Sequence, residues 1–147
     1  VDSPDNQHQP LTVPALGYEF LRSELIPDLL GNDTNEILYW AGRKLASRHP
    51  VKSIEELPSL FSDLAFGTLV LQKQNKNEAT YELASELIQK RIEFYNNVSF
   101  ALEAGFLAQQ FQEHKQCITE CHYDFNKGKI PKVLLQIKWD SKDTVIK

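Results

Sequence analysis

The sequence predicts an α+β fold, an antiparallel sheet of about four strands with helices packed on one face, in the order ααα-ββ-(α)-α-ββ. Three observations carry this reading. Apolar residues recur at helical spacing before Gly67, period-two alternation takes over at Thr68 and again at Cys117, and one strong helical stripe separates the two alternating stretches. At 147 residues, with 41% apolar and 24% charged positions, the chain has the composition of one ordinary globular unit with enough length for a core.

Residues 1–15, polar and Pro-bearing, read as a loosely ordered lead to a single α+β domain over 16–143. Tyr18, Leu21, Leu25 and Leu29 mark a first helix, which Pro27 should kink or break by removing one backbone bond to the Ser23 carbonyl. Asp33 with Glu36 resembles an N-cap pair for a second helix, carried by Ile37, Leu38, Ala41, Gly42 and Leu45 and ending near Arg48. Ser53-Ile54-Glu55-Glu56 fits a capping box for a third, through Leu57, Phe61 and Leu64, with Pro58 in its first turn and Gly67 closing it.

Residues 68–74 and 80–84 then form a hairpin around the polar turn Asn75-Lys76-Asn77-Glu78. Residues 85–94 are ambiguous, since Ile88 and Ile92 suit a helix but the segment is short. From Asn97 the helical signal returns in Phe100, Ala104, Leu107, Ala108 and Phe111, beside an all-small face of Ala101, Ala104, Gly105 and Ala108. Two last strands flank a turn at 126–129. Cys117, Thr119, Cys121, Tyr123 and Phe125 share a face opposite Glu120, His122 and Asp124, and Val133, Leu135, Ile137 and Trp139 share another.

Bulk numbers exclude several classes of function. Two closely spaced Cys do not make a disulfide framework, no apolar run approaches the roughly 20 residues of a spanning helix, and residues 1–10 lack a signal peptide's basic and apolar regions. A cytoplasmic protein with no membrane span is expected. The absence of Met, even at position 1, suggests a piece of a longer translated chain, and the triplets Asn32-Asp33-Thr34 and Asn97-Val98-Ser99 read as chance matches to a glycosylation pattern. The formal charge of −4 divides into −5 over residues 1–66 and +1 over 67–147, where Arg91 is the only Arg. Lys-rich strand edges explain that second half better than a nucleic-acid surface does, so no nucleic-acid partner is expected.

His114, Cys117, Cys121 and His122 have the donor types of a structural zinc site, but a strand would hold the two sulfurs about 13 Å apart, with His122 on the other face. No metal, cofactor or catalytic residue is assigned. Phosphate loops, nucleotide-binding turns, nucleophile elbows and zinc-protease motifs are all missing from the sequence. Glu103 reads as a helix-flank carboxylate that faces water or accepts a hydrogen bond rather than a buried acid. Tyr39-Trp40-Ala41-Gly42 pairs two amphipathic aromatics with two small residues, a pattern open to either core packing or a pocket wall.

Several phrases resemble a known family. Leu30-Gly31, the run Ile37-Leu38-Tyr39-Trp40-Ala41-Gly42-Arg43-Lys44-Leu45-Ala46, Gly67-Thr68-Leu69, Leu102-Glu103-Ala104-Gly105-Phe106-Leu107-Ala108 and the closing Val133-Leu134-Leu135-Gln136-Ile137-Lys138-Trp139-Asp140 look like the YslB-like family of low-GC Gram-positive bacteria, over residues 16–143. That family is similar in fold to the 4-vinyl reductase domain and to the TRAPP vesicle-tethering subunits, grouped as ligand-binding domains of nitric-oxide signalling and Golgi transport. The resemblance implies an α+β domain that can enclose an apolar small molecule or acyl chain. The chain departs from the 4-vinyl reductase pattern because Glu120 and Cys121 are adjacent and the last strand lacks a Cys, and no residue matches the acyl-carrying Cys of the tethering subunits. No metal, haem or acylation site carries over.

The resulting expectation is a non-enzymatic binder of a hydrophobic small molecule, with Trp40, Ala41, Ala104, Gly105, Leu107 and Ala108 as pocket candidates. A protein-interaction or adaptor module, as a homodimer, is the alternative. A third reading, an accessory factor in tetrapyrrole-like chemistry, rests on fold analogy alone.

Overall fold

The computed structural model describes residues 11–145, so most of the lead predicted over 1–15 lies outside the described residues. Helix α1 (Ala15–Phe20) runs through a π-helical turn (Leu21–Leu25) into α2 (Ile26–Leu30). No break occurs at Pro27. The Ile26 N–H reaches back five residues to the Leu21 carbonyl, and the wide turn places Pro27 in the first turn of α2, where a missing N–H costs least.

A 3-10 turn (Gly31–Asp33), whose Gly31 adopts φ 61°, redirects the chain into α3 (Thr34–Arg48). The expected Asp33 cap is not made; Thr34 Oγ1 instead donates to the Gly31 carbonyl at 2.6 Å. Ser53 likewise makes no side-chain cap, and a 3-10 turn (Ile54–Glu56) leads into α4 (Leu57–Asp63). Strands β1 (Thr68–Gln74) and β2 (Glu78–Ala84) follow as the predicted hairpin, the Asn75 N–H donating to the Glu78 carbonyl across the turn. The ambiguous segment is helix α5 (Glu86–Phe94). Ser85 decides it, its Oγ accepting from the Ile88 N–H at 3.0 Å.

Helix α6 (Ala101–Lys115) ends at Gln116 in the left-handed conformation, and β3 (Cys117–Phe125) and β4 (Val133–Thr144) complete an antiparallel sheet of order β1-β2-β4-β3. Register pairs Tyr81 with Leu135 and Cys121 with Ile137, and a bulge between Cys117 and Thr119 bends the start of β3. The helices cover one face of the sheet, with α6 between the sheet and α3, and α4 against β1. Phe61, Phe66 and Phe106 meet edge-to-face at 5.2–5.8 Å between centroids, and Phe111 stacks on Trp139 at 5.7 Å. The loop after α3 is stapled to α6. Gln110 donates to the His49 carbonyl and accepts from the Val51 N–H, so its buried amide is satisfied on both ends.

Candidate functional site

Helices α3 and α6 meet main chain to main chain, Gly42 of α3 against Leu102 and Phe106, and Gly105 of α6 against Tyr39. A Cβ at Gly42 would lie 2.2 Å from the Leu102 carbonyl oxygen, and one at Gly105 would lie 1.9 Å from that of Tyr39. Four of the six pocket candidates, Ala104, Gly105, Leu107 and Ala108, are buried in this packed interior. Ala41 is half-buried, and Trp40 is 62% exposed. The structure thus brings the α6 candidates together in the core and sets Trp40 apart from them, on the surface.

Trp40 borders a cleft of about 500 Å³ between α3 and β3, whose walls include Tyr39, Ala101, Tyr123 and the edge of β3 at Cys121. The wall is held from behind. Arg43 spans three elements, donating to the Tyr39 hydroxyl oxygen at 3.2 Å, the Thr119 carbonyl at 3.0 Å and Gln112 Oε1 at 2.8 Å. The Cys121 N–H also donates to the Tyr39 oxygen, so both of its lone pairs are engaged and its own proton remains to be given. The Lys44 ammonium sits over the Trp40 ring at 4.6 Å from its centroid.

Asn35 divides this cleft from a second, polar one of about 620 Å³, which lies where the α2–α3 turn faces residues 96–99 and Phe125. The Asn35 side-chain carbonyl accepts from both Ser99 Oγ and the Tyr123 hydroxyl, which fixes the amide and leaves its two N–H bonds to donate. Tyr123 and Phe125 stack along the same wall, centroids 6.4 Å apart. Both glycosylation-like triplets line the polar cleft through Asn32, Thr34, Asn97, Val98 and Ser99.

Behind that cleft lies a cluster of charges. Glu103 is fully buried, which corrects the helix-flank expectation, and its Oε1 receives Arg22 Nη2 at 2.6 Å. Desolvation works against the Arg22 charge, but Glu103 outweighs it and holds the guanidinium above its ordinary pKa. Arg91, also buried, grips both oxygens of Glu19 and lies 5.7 Å over the Phe100 ring. Arg91 Nη1 and Glu103 Oε2 have no partner among the described residues. Sequence reasoning missed Glu19, Arg22 and Arg91, because no local pattern marks pairs that join residues 72 and 81 positions apart.

The same pairs invert the first helix. Its charged residues Glu19 and Arg22 face the protein, whereas Leu16, Phe20, Leu21, Leu25 and Leu29 are exposed, Leu29 by 73%. A groove of about 380 Å³ runs between Leu16 and Phe20 of α1 and Leu87 and Phe94 of α5. The predicted stripe of Tyr18, Leu21, Leu25 and Leu29 therefore marks a helix correctly, but points mainly to solvent.

Cys117 and Cys121 are free and buried on the core face of β3, as their alternation predicts. Burial pushes the Cys121 thiol well above its usual range despite Arg43 nearby, which leaves it a poor nucleophile. His114 is engaged with the Val51 carbonyl at 2.9 Å, and among the described residues no group of three or more His, Cys, Asp or Glu is placed to hold a metal ion. No helix among them is long and apolar enough to cross a membrane.

Comparison with known proteins bears on the fold and the family. A family described as "Protein of unknown function (DUF2507)" matches residues 15–138. Over 131 residues, the chain is 40% identical to the protein YslB of Bacillus subtilis (strain 168), covering 89% of this chain and 88% of that one. Among solved structures it is similar to a vinyl-4-reductase family protein from Methanocaldococcus jannaschii, with TM-score 0.60, 19% identity, and coverage of 90% of this chain and 85% of that. An Fe(II) unliganded H-NOX protein mutant from K. algicida matches with TM-score 0.54 and 15% identity, over 88% of this chain and 75% of the other. Identities this low establish a shared fold and transfer no residue roles. The family match over most of the chain and the identity to YslB together mean that this chain belongs to the DUF2507 family of YslB-like proteins.

Proposed function

We propose that the chain is a non-enzymatic domain, spanning residues 16–143, that binds a hydrophobic small molecule against Trp40. The observation that carries this is the exposed indole. A large aromatic left 62% exposed, at a cleft of about 500 Å³ whose Tyr39 wall is braced by Arg43 and Cys121, has the size and the mix of apolar surface with few polar groups that small ligands use. The free Tyr39 O–H supplies one directional contact. The two buried free thiols support a reducing, cytoplasmic setting. Native mass spectrometry of protein purified from its own organism tests the reading. A bound mass that is lost with Trp40→Ala supports it, and a clean apo mass with no Trp40 fluorescence response to octan-1-ol overturns it.

A specific observation favours a second reading, an interaction module that pairs as a homodimer. Leu21, Leu25 and Leu29 form an exposed stripe on one face of the α1–α2 helix, beside Leu16 and Phe20, and large exposed apolar patches mark interaction sites. Sedimentation equilibrium distinguishes the two. A dimer that Leu25→Glu dissociates supports the module, and a strict monomer at all concentrations rejects the homodimer.

A further inference from the structure

The Trp40 cleft and the polar cleft are neighbours with one shared residue, Asn35, and a shared aromatic edge in the stacked Tyr123 and Phe125. One is walled by aromatic rings. The other is walled by amide and hydroxyl side chains, with Asn32, Asn35, Asn96, Asn97 and Ser99 around its rim. From the polar cleft a narrow crevice of about 20 Å³, bounded by Pro27, Thr34 and Val98, leads to Arg22 and Arg91. That space holds roughly one water-sized group. Arg91 is 97% enclosed by its 3% exposure, and its unpartnered Nη1 is a buried donor that calls for an acceptor oxygen.

We propose that the ligand is a neutral amphiphile, its hydroxyl-bearing head in the asparagine cleft with one oxygen reaching toward Arg91, and its apolar tail along Trp40. Charge selects a neutral head. Arg22 and Arg91 are already balanced by Glu103 and Glu19, and an added carboxylate would share the two neighbouring clefts with Asp28, Glu36 and Glu120 while losing its hydration. The crevice has room for a single hydroxyl oxygen, with the rest of the head in the polar cleft. Hydroxyls also suit the rim, since each both donates and accepts, as do the asparagine amides they would meet. The two N–H bonds left on Asn35 stand where head and tail would join.

This rests on the apolar-ligand reading above, and the test separates the two. Backbone amide NMR titrations of the full chain use octan-1-ol, n-octyl β-D-glucopyranoside and octanoate below their micelle concentrations. The glucoside should bind on the order of tenfold tighter than octan-1-ol, the effect of one or two added hydrogen bonds, and should shift the amides of Asn97 and Ser99 together with those of Trp40 and Cys121. The double variant Asn32→Ala/Asn97→Ala, exposed at both positions, should erase that advantage. Tightest binding of octanoate overturns the neutral head, and equal affinity for alcohol and glucoside overturns its seat in the asparagine cleft, while in either case apolar binding at Trp40 stands. Binding of none of the three removes both.

Discussion

Replacing Gly105 by Ala adds a single methyl group where α6 touches α3. That Cβ would sit 1.9 Å from the Tyr39 carbonyl oxygen and 2.8 Å from its carbon, against ordinary contacts of about 3.5 Å, so the helices must part by roughly 1.5 Å along their closest seam. The obstacle is main chain, which cannot rotate aside. Overpacking of this kind costs typically about 1–3 kcal/mol, and with backbone on both sides the upper value applies; the gain in helix propensity on leaving Gly returns about 1 kcal/mol. A net loss of about 2 kcal/mol is expected, near a 6 °C fall in Tm for a chain of this size. Gly17→Ala is the control, since it makes the same change in α1 with nothing within 4 Å, and should be neutral or stabilising by up to about 1 kcal/mol. Urea unfolding of the two variants side by side reads both signs. Gly105→Ala within about 0.5 kcal/mol of the parent would refute direct main-chain contact between the helices.

Three further outcomes follow from the buried groups. Arg22→Met should cost about 3 kcal/mol by leaving Glu103 charged, buried and alone, and adding Glu103→Leu should restore more than half of it; strictly additive losses in denaturant unfolding would show the pair to be uncoupled. Burial, with a smaller push from Glu55, raises the Tyr81 phenol from 10.0 to about 12. Above pH 10 the unfolded chain therefore sheds a proton that the folded one keeps, so stability falls between pH 10 and 12, and Tyr81→Phe should flatten that part of the profile. Cys121 should resist a thiol reagent at pH 8 in the native protein and react on unfolding, whereas rapid native labelling at that position would contradict its enclosure.

Much of the architecture is legible in local pattern. Period-two alternation identifies the faces of β3 and β4 residue by residue, and the stripe from Phe100 to Phe111 identifies α6, because each pattern repeats within a few positions. The short helix α5 needed only Ser85 to be weighed as a cap. What stays hidden depends on partners far away in the chain. The leucines of the first helix look like a core face until Arg22 and Glu19 find Glu103 and Arg91, and a charge pair has no period to reveal it. The small face of α6 looks equally suited to a cavity or to a close helix, and only the main chain of Tyr39 against Gly105 shows that a helix takes that space. Of the candidate site, Trp40 is visible in sequence as an aromatic beside small residues, while Asn35 acquires meaning only through Ser99 and Tyr123.

The seam between Gly42 and Gly105 also has a consequence for synthesis. The two surfaces are separated by roughly 60 residues of chain, which a ribosome adding about 5–20 residues per second needs roughly 3–12 s to produce. During that interval α3 is made but its partner is not. The groove at Gly42 that later admits the Leu102 carbonyl then exposes bare main chain, and the β1–β2 hairpin, complete in itself, waits for β4 to cover its inner edge. Nascent chains stalled between the end of α5 and the start of α6 should therefore be the ones most dependent on chaperones.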